Sequence, residues 1–379
     1  MHILIVPSWY SSKRNPVLGS FFKEQAIALS KYGHKVTIAY NEVWPLTLVG
    51  KVFEKPGISS QIEDGVKTYR YKNFNFLPKN PLMFKIFDKR MEKLYEKIEK
   101  TEGKPDVIHA HSCLWAGISA RHISKKYNIP LVITEHSSLK NSVYLKENYL
   151  PHIVKAYNEA DKVVAVGNGL KEELSQYVKN NQIDIIPNMV DLERFYPKNY
   201  KCDNKFSFFS LAFLDHFKGM DVLIKAFEKA FKNKKVELII GGAGPAREEL
   251  EKLTEDLGLE KQIRFLGAVS REEASEEMNK CNAFALASRH ETFGVVYIEA
   301  LACGKPIIGT RNGGAEDIIN ETNGLLVDID DVNGLSQAML KVRTNYDNYS
   351  STLIREDCIN RYSEASIVEK LNNVYEGIL

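Results

Sequence analysis

The sequence predicts an α/β protein built from two doubly wound domains, each a parallel sheet with helices on both faces. Three observations lead there. A chain of 379 residues is too long for one small core and fits two domains. Short β-branched runs alternate with helix-period segments along the whole sequence. Those runs lack polar alternation, as expected of strands covered on both sides.

In the first half the expected strands are HILIVP, KVTIAY, DVIHAH, PLVITE, KVVAVG and DIIPN. Between the first two, GSFFKEQAIALSKYG places Phe22, Ala26 and Leu29 at helical spacing and stops at Gly33. Further on, PLMFKIFDKRMEKLYEKIEK carries an apolar stripe of Met83, Phe84, Phe87, Met91, Leu94, Tyr95 and Ile98. Its opposite face is expected to hold Lys85, Lys89, Arg90, Lys93 and Lys97. That arrangement fits a core-facing helix with a solvated back, or a helix docked on an anionic membrane. In the second half FSFFSLAF, VELIIGG, IRFLGAV, NAFALAS, PIIGT and GLLVD read as strands. The segments DVLIKAFEKAF, AREELEKLTEDLG and TFGVVYIEALACG read as the helices between them. The polar stretch YPKNYKCDNK, about residues 196–205, is the expected join between a first domain of 1–195 and a second of about 205–360. Doubly wound sheets bind ligands at the carboxyl ends of their strands, and two facing sheets are expected to enclose a deep cleft.

Composition narrows the class further. Hydrophobic residues make up 44% and charged residues 26%, which excludes wholesale disorder. No run approaches the roughly 18–20 uncharged apolar residues of a membrane span. The opening MHILIVPSWY has no basic leader or cleavage site and reads as a buried strand. Five scattered cysteines without a C-x-x-C pair argue against a disulfide framework or zinc site and suit a reducing cytoplasm. Nothing points to nucleic acid as a partner. Residues 1–200 hold 29 Lys/Arg against 20 Asp/Glu, whereas the remainder hold 22 against 29. The first half is therefore expected to meet something anionic.

The densest signal is SRHETFGVVYIEALACGKPIIGTRNGGAED, residues 288–317. A strand ends at Ser288, and a helix is expected to open near Thr292–Phe293. First-turn N–H groups of Phe293, Gly294 and Val295 would form a seat for a diphosphate. Glu299 lies two turns in, on an otherwise apolar helix where an unpaired carboxylate would be costly. It is placed to accept from ribose hydroxyls, and Glu291 remains at the mouth, where a sugar on that diphosphate would sit.

The pair Glu291 and Glu299, with its surrounding ETFGVVYIEALACGKPII and the following Gly313–Gly314, resembles the retaining glycosyltransferases of family 4, which have the GT-B fold. The resemblance extends over GSFFKEQAIALSKYGHKV, DVIHAH with TEHSS, IPNMVDLERFYP, FKGMDVLIKAF and GGAGPAREEL with IRFLGAV. It implies two Rossmann-like domains, a terminal helix (361–379) that crosses back to the first, and a nucleotide-diphosphate donor. By resemblance, Lys218 faces the leaving diphosphate, where a cation stabilises growing charge. Gly19 brings the loop before the first helix close to the donor. Gly244, in GGAGP, lies beside the nucleotide. His136, in TEHSS, lies near the reacting sugar and orients the acceptor. Of His109 and His111, expected on opposite strand faces, His111 is the acceptor-side candidate.

One departure from the family stands out. An arginine upstream of the lysine is replaced by Ala212 and Phe213. Arg289 and Arg247 are candidate substitutes by loop position; otherwise helix-terminal N–H groups carry more of the charge, or donor turnover is weak. The D-x-D at Asp328–Asp330 directly follows GLLV and reads as a turn, and no metal or other cofactor is expected. The implied enzyme transfers a hexosyl group from a UDP- or GDP-linked sugar to a hydroxyl on a glycan or lipid-linked acceptor, without metal and with retention. Bacterial surface polysaccharide or glycolipid assembly is the expected setting, with peripheral contact to the inner face of an anionic membrane. Two alternatives remain open: a nucleotide-sugar epimerase of the same fold, and a non-catalytic carbohydrate-binding protein.

Overall fold

Residues 1–12, 18–179, 183–199 and 205–379 are described by the computed structural model. Part of the expected join at 196–205, part of the loop before Gly19, and Cys202 lie outside the described residues. The chain divides into two compact units, Met1–Pro187 with Ile367–Leu379, and Asn188–Ser366. Cys113, Cys281, Cys303 and Cys358 are buried free thiols. Among the described residues no helix is long and apolar enough to cross a membrane.

The first unit is built on eight strands: β1 (His2–Pro7), β2 (Lys35–Trp44), β3 (Gly57–Glu63), β4 (Val66–Phe74), β5 (Val107–His111), β6 (Leu131–Glu135), β7 (Lys162–Ala165) and β8 (Ile183–Ile185). Their order is β3-β4-β2-β1-β5-β6-β7-β8. All neighbours pair in parallel except β3 with β4. β1, β5 and β6 are buried along their whole length, so neither face is solvated and the polar residues they carry, among them His109, His111, Thr134 and Glu135, are buried too. The β3–β4 hairpin is an addition to the expected set. It turns at Asp64 and Gly65, both at positive φ (47° and 83°), and most of β3 is exposed.

The helix Leu82–Glu102 buries the whole predicted stripe from Met83 to Ile98. Arg90 departs from expectation. It is buried rather than on the solvated back, donating to the Phe74 carbonyl at 2.7 Å and lying 5.9 Å from the Tyr71 ring centroid. A guanidinium with an apolar stem can pack this way once a backbone acceptor meets it. The terminal helix Glu364–Glu376 packs into the first unit through Ile367, Leu371 and Tyr375. Its anchor is polar: the Tyr375 hydroxyl lies 2.6 Å from His109 Nδ1, and Nε2 of that ring lies 2.7 Å from Thr134 Oγ1. Burial pushes His109 down to about 3, so the imidazole is neutral and serves as one donor and one acceptor.

The second unit carries β9 (Phe206–Leu211), β10 (Val236–Gly241), β11 (Ile263–Gly267), β12 (Ala283–Ala285), β13 (Ile307–Thr310) and β14 (Gly324–Val327). Their order is β11-β10-β9-β12-β13-β14, all parallel. The chain leaves β9 toward one edge and returns at β12 to build the other, so the topological switch lies between them. In the first unit the switch lies between β1 and β5. Loops diverge at such points and leave a crevice beyond the strand ends.

The switch in the second unit requires a glycine. Gly219 has φ 59°, and a Cβ there would lie 1.9 Å from the Ala287 carbonyl oxygen. Gly258 has a similar φ of 68° with nothing within 4 Å, so comparing the two isolates the close approach from the backbone strain. Gly219→Ala is expected to lower unfolding free energy about 1–3 kcal/mol more than Gly258→Ala. Urea denaturation of both variants measures this, and equal costs would contradict the close packing.

Candidate functional site

The ends of β9 and β12 bring together residues far apart in sequence. After β9 the chain makes a single 3₁₀ turn, His216–Lys218, and at Gly219 it packs against Ala287 just past β12. Lys218 Nζ thereby donates to Glu291 Oε1 at 2.8 Å, and Ser288 Oγ donates to the same oxygen at 2.8 Å. Both charged side chains are mostly buried, at 24% and 12% exposure. The Glu291 loop is held from behind by Asn312. Its carbonyl accepts from Glu291 N at 3.1 Å, and its Oδ1 accepts from the N–H groups of Gly314 and Ala315 at 3.1 Å each.

The following helix, Val295–Ala302, opens later than the sequence suggests, because Gly294 adopts φ 94° at its N-cap. Phe293 and Gly294 are thus loop residues ahead of the first turn. Among the described residues, the N–H groups of Phe293, Gly294 and Val295 have no acceptor. Gly314 approaches so closely that a Cβ would lie 2.7 Å from Phe293 N. Amide groups without acceptors beside a lysine make an anion seat.

Glu299 is buried in the same helix and accepts from Arg271 Nη2 at 3.0 Å. Burial pushes its carboxyl up to about 7, against the pull of the Arg271 charge and hydrogen bond. Arg271 opens the helix Arg271–Lys280, whose start is fixed by a capping box between Ser270 and Glu273. Its guanidinium also lies 5.5 Å from the Phe195 ring centroid. The sequence does hold a signal for it: a cation at the first helical position opposes the helix dipole, which favours carboxylates there.

Gly244 sits against Leu214, where a Cβ would come within 2.3 Å of the carbonyl oxygen, so GGAGP packs on the segment after β9. There Phe213 is 61% exposed. Of the two candidate substitutes for the absent arginine, Arg289 is already committed. It donates to both oxygens of Asp221 at 3.0 Å, to Asp330 at 2.7 Å and to the His216 carbonyl at 2.6 Å, tying three loops together. It therefore serves as a structural cation here, which leaves Arg247 the less engaged of the two candidates. The Arg289 guanidinium thus engages Asp330, while Arg311 lies 3.4 Å from Asp328. Among the described residues no group of three or more His, Cys, Asp or Glu is placed to hold a metal. Arg247 has only a partly exposed pair with Glu251, and its Nη1 lies over Gly267 at the end of β11.

In the first unit, His111 at the end of β5 meets His136 just past β6, with Nδ1 and Nε2 3.1 Å apart. The expectation that His109 and His111 occupy opposite faces is wrong. Two residues apart on a strand they share a face, and their rings stack at 4.4 Å. Desolvation, then the neighbouring rings of His109 and His136, holds His111 well below the ordinary imidazole range. The loop carrying His136 is fixed by two carboxylates that sequence reading did not single out. Glu135 accepts from the N–H groups of Cys113, His136 and Ser137 and from the Tyr157 hydroxyl, at 2.7–3.1 Å. Glu173 accepts from Ser138, Leu139 and Lys140 at 2.6–2.9 Å. Gly19, at φ 70°, caps the helix Ser20–Lys31 against Trp9, and Phe22 of that helix packs on both histidines. Beside them a cleft of about 170 Å³ opens at the ends of β1, β2 and β5. It is lined by Ser8, Tyr40, Asn41, Asn75, Trp115 and Ser119 among others, and neither histidine ring reaches it.

Comparison with known proteins gives this geometry a context. Residues 18–194 match the family model described as Glycosyltransferase Family 4, and residues 191–359 match that of Glycosyl transferases group 1. An uncharacterized glycosyltransferase of Methanocaldococcus jannaschii is 33% identical over 258 residues, covering 67% of this chain and 69% of the relative. The N-acetyl-alpha-D-glucosaminyl L-malate synthase of Bacillus anthracis is 26% identical, covering 72% and 75%. Among solved structures, the sucrose-phosphate synthase of Thermosynechococcus elongatus superposes with a TM-score of 0.77 at 19% identity, covering 100% of this chain and 99% of that one. Anabaena HepE in complex with UDP gives 0.75 at 18% identity, with both chains covered fully.

The Glu299 pair predicts a pH signature. A carboxyl whose folded pKa of about 7 exceeds its ordinary 4.5 binds more protons folded than unfolded, so stability falls as pH rises between those values. The double variant Arg271→Met, Glu299→Gln is expected to remove that decline, worth about 3 kcal/mol. Urea midpoints between pH 5 and 8 measure it, and parallel profiles would contradict the assignment.

Proposed function

Starting from the premise that the chain belongs to glycosyltransferase family 4 and has the GT-B fold, we propose that it is a retaining enzyme that uses a nucleotide-diphosphate sugar. The observation that carries this reading is the Lys218–Glu291 pair beside the unpartnered amides of Phe293, Gly294 and Val295, at the switch point of the second unit. A donor diphosphate there takes the Lys218 ammonium and the helix-opening amides. Glu291, relieved of its lysine, accepts from hydroxyls of the transferred sugar. Glu299, oriented by Arg271, accepts from the ribose. Gly244 keeps the backbone beside the nucleotide close, and Arg247 is the remaining cation at the strand ends that can offset the arginine absent at Ala212 and Phe213.

The chemistry needs little covalent help from the protein. The bond between the anomeric carbon and the diphosphate oxygen breaks as negative charge grows on that oxygen, and fixed donors stabilise this state more than the ground state. The acceptor hydroxyl adds to the anomeric carbon from the same face, and its proton passes to the departing diphosphate. Configuration is thereby retained, with no metal in the scheme. His136 and His111 orient the acceptor side, and Gly19 holds the helix that packs on them. Solved relatives of the fold include complexes with UDP and with UDP-glucose, which favours a UDP-linked donor over a GDP-linked one.

The acceptor proposed is a hydroxyl on a lipid-linked glycan, in bacterial surface polysaccharide or glycolipid assembly, met at an anionic membrane surface from the cytoplasm. The basic first half supports it.

UDP is expected to raise the melting temperature without divalent cation, and Glu299→Ala to abolish the shift. Lys218→Ala is expected to lower turnover about 10²–10³-fold. A shift that appears only with manganese, or near-normal turnover without the lysine, would contradict the reading.

A further inference from the structure

The contact with an anionic membrane is the part of this reading that the structure takes further. The helix Leu82–Glu102 cannot offer an apolar face to lipid, because Met83, Phe84, Phe87, Met91, Leu94, Tyr95 and Ile98 are all consumed by the core. Large apolar side chains are exposed at several other places, Val143 at 84% and Ile62 at 71% among them, and topology brings one group of them together. Strands β2 and β4 are adjacent and parallel, so the loops that follow them leave the same edge of the sheet. The antiparallel β3 begins at that edge, with Gly57 opposite Lys72, which returns the whole segment 45–56 there. Phe53 in that segment is 98% exposed and Val49 is 59% exposed. Phe76, in the loop after β4, is 63% exposed, and Leu82 opens the next helix at 52%. Isolated exposed apolar residues are ordinary; four that share one sheet edge are not.

The charges on these loops match. Lys51, Lys55 and Lys79 are exposed among the apolar tips, and Lys85 follows one turn into the helix. The acids nearby are engaged: Glu54 pairs with Lys72. Apolar tips interspersed with lysines fit the headgroup layer of an anionic bilayer, where each lysine adds attraction and each buried ring adds apolar transfer. The same edge holds the cleft lined by Tyr40, Asn41 and Asn75.

We propose that the loops 45–56 and 75–82 form a membrane-docking rim for an anionic lipid surface, with Phe53 and Phe76 as its inserting side chains. The rim deepens the proposed function by naming where its acceptor is met, and it rests on that reading only for the acceptor being lipid-borne.

Vesicles of phosphatidylcholine, alone or mixed with phosphatidylglycerol, test it by co-sedimentation. The parent chain is expected to bind the mixed vesicles, less so as salt rises. The double variant Phe53→Asp, Phe76→Asp is expected to lose at least about tenfold in partitioning. Reversal of Lys89, Lys93 and Lys97 to Glu on the solvated back of the helix is expected to cost less than the rim variant. Failure of the parent to prefer anionic vesicles, unchanged binding by the rim variant, or a greater loss from the helix reversal would each overturn the proposal. So would a dimer in sedimentation that the rim variant abolishes while vesicle binding stays intact, because the rim would then cover a second copy. The UDP-induced melting shift, measured in parallel, separates the two claims. Its presence in the rim variant shows an intact fold, and its absence in every variant, with vesicle binding still rim-dependent, would refute the functional reading and leave the docking surface standing.

Discussion

An ion pair between residues 73 apart in sequence, Lys218 and Glu291 at 2.8 Å, organises the second unit around its chemistry. Two charges withdrawn from water at this depth gain little net stability, since desolvation offsets most of their attraction. Their value lies in what they can exchange. In the proposed reaction a phosphate would compete for the ammonium and sugar hydroxyls for the carboxylate, so a diphosphate sugar would satisfy both groups at once. The surrounding structure serves that arrangement. β9 and β12 are neighbours although three helices and two strands separate them in sequence, Gly219 removes the side chain that would hold the loops apart, and Asn312 fixes the Glu291 loop from the far side.

The first unit solves a different problem, holding polar groups still without charging them. His109 is locked between Thr134 and Tyr375, which also fastens the terminal helix. His111 and His136 stand one position further along the strand ends, desolvated and mutually hydrogen-bonded. Burial holds His111 well below the ordinary imidazole range, which suits it to the orienting role proposed for it rather than to proton transfer. The Glu135 and Glu173 carboxylates accept seven hydrogen bonds between them from the loops next to these rings. Buried carboxylates satisfied this fully make those loops rigid.

Much of the fold was legible because buried parallel strands leave a loud signal: HILIVP, KVVAVG and PIIGT each carry an unbroken apolar run. The β3–β4 hairpin was quiet for the opposite reason. β3 is an exposed edge strand whose sequence is polar, and only the Asp64–Gly65 turn marked it. The two glutamates of the second unit were legible from spacing, but their partners were not. Ser288 and Asn312 become relevant only when strands fold side by side, and the one mark on Arg271, a cation at a first helical position, does not say which carboxylate it meets. Arg289 illustrates the limit of loop position as a guide, since its place in sequence suggested a phosphate cation and three acceptors in space claim it. The histidine faces were misjudged through strand periodicity, a matter of geometry that the sequence itself states correctly.

The most direct measurement is a crystal structure of the protein with UDP and, separately, with an intact UDP-sugar. The account predicts the distal phosphate within hydrogen-bond distance of Lys218 Nζ and of the amides at Gly294 and Val295, with Glu291 turned from the lysine to the sugar and Glu299 on the ribose. A diphosphate bound elsewhere, with the Lys218–Glu291 pair undisturbed, would contradict it.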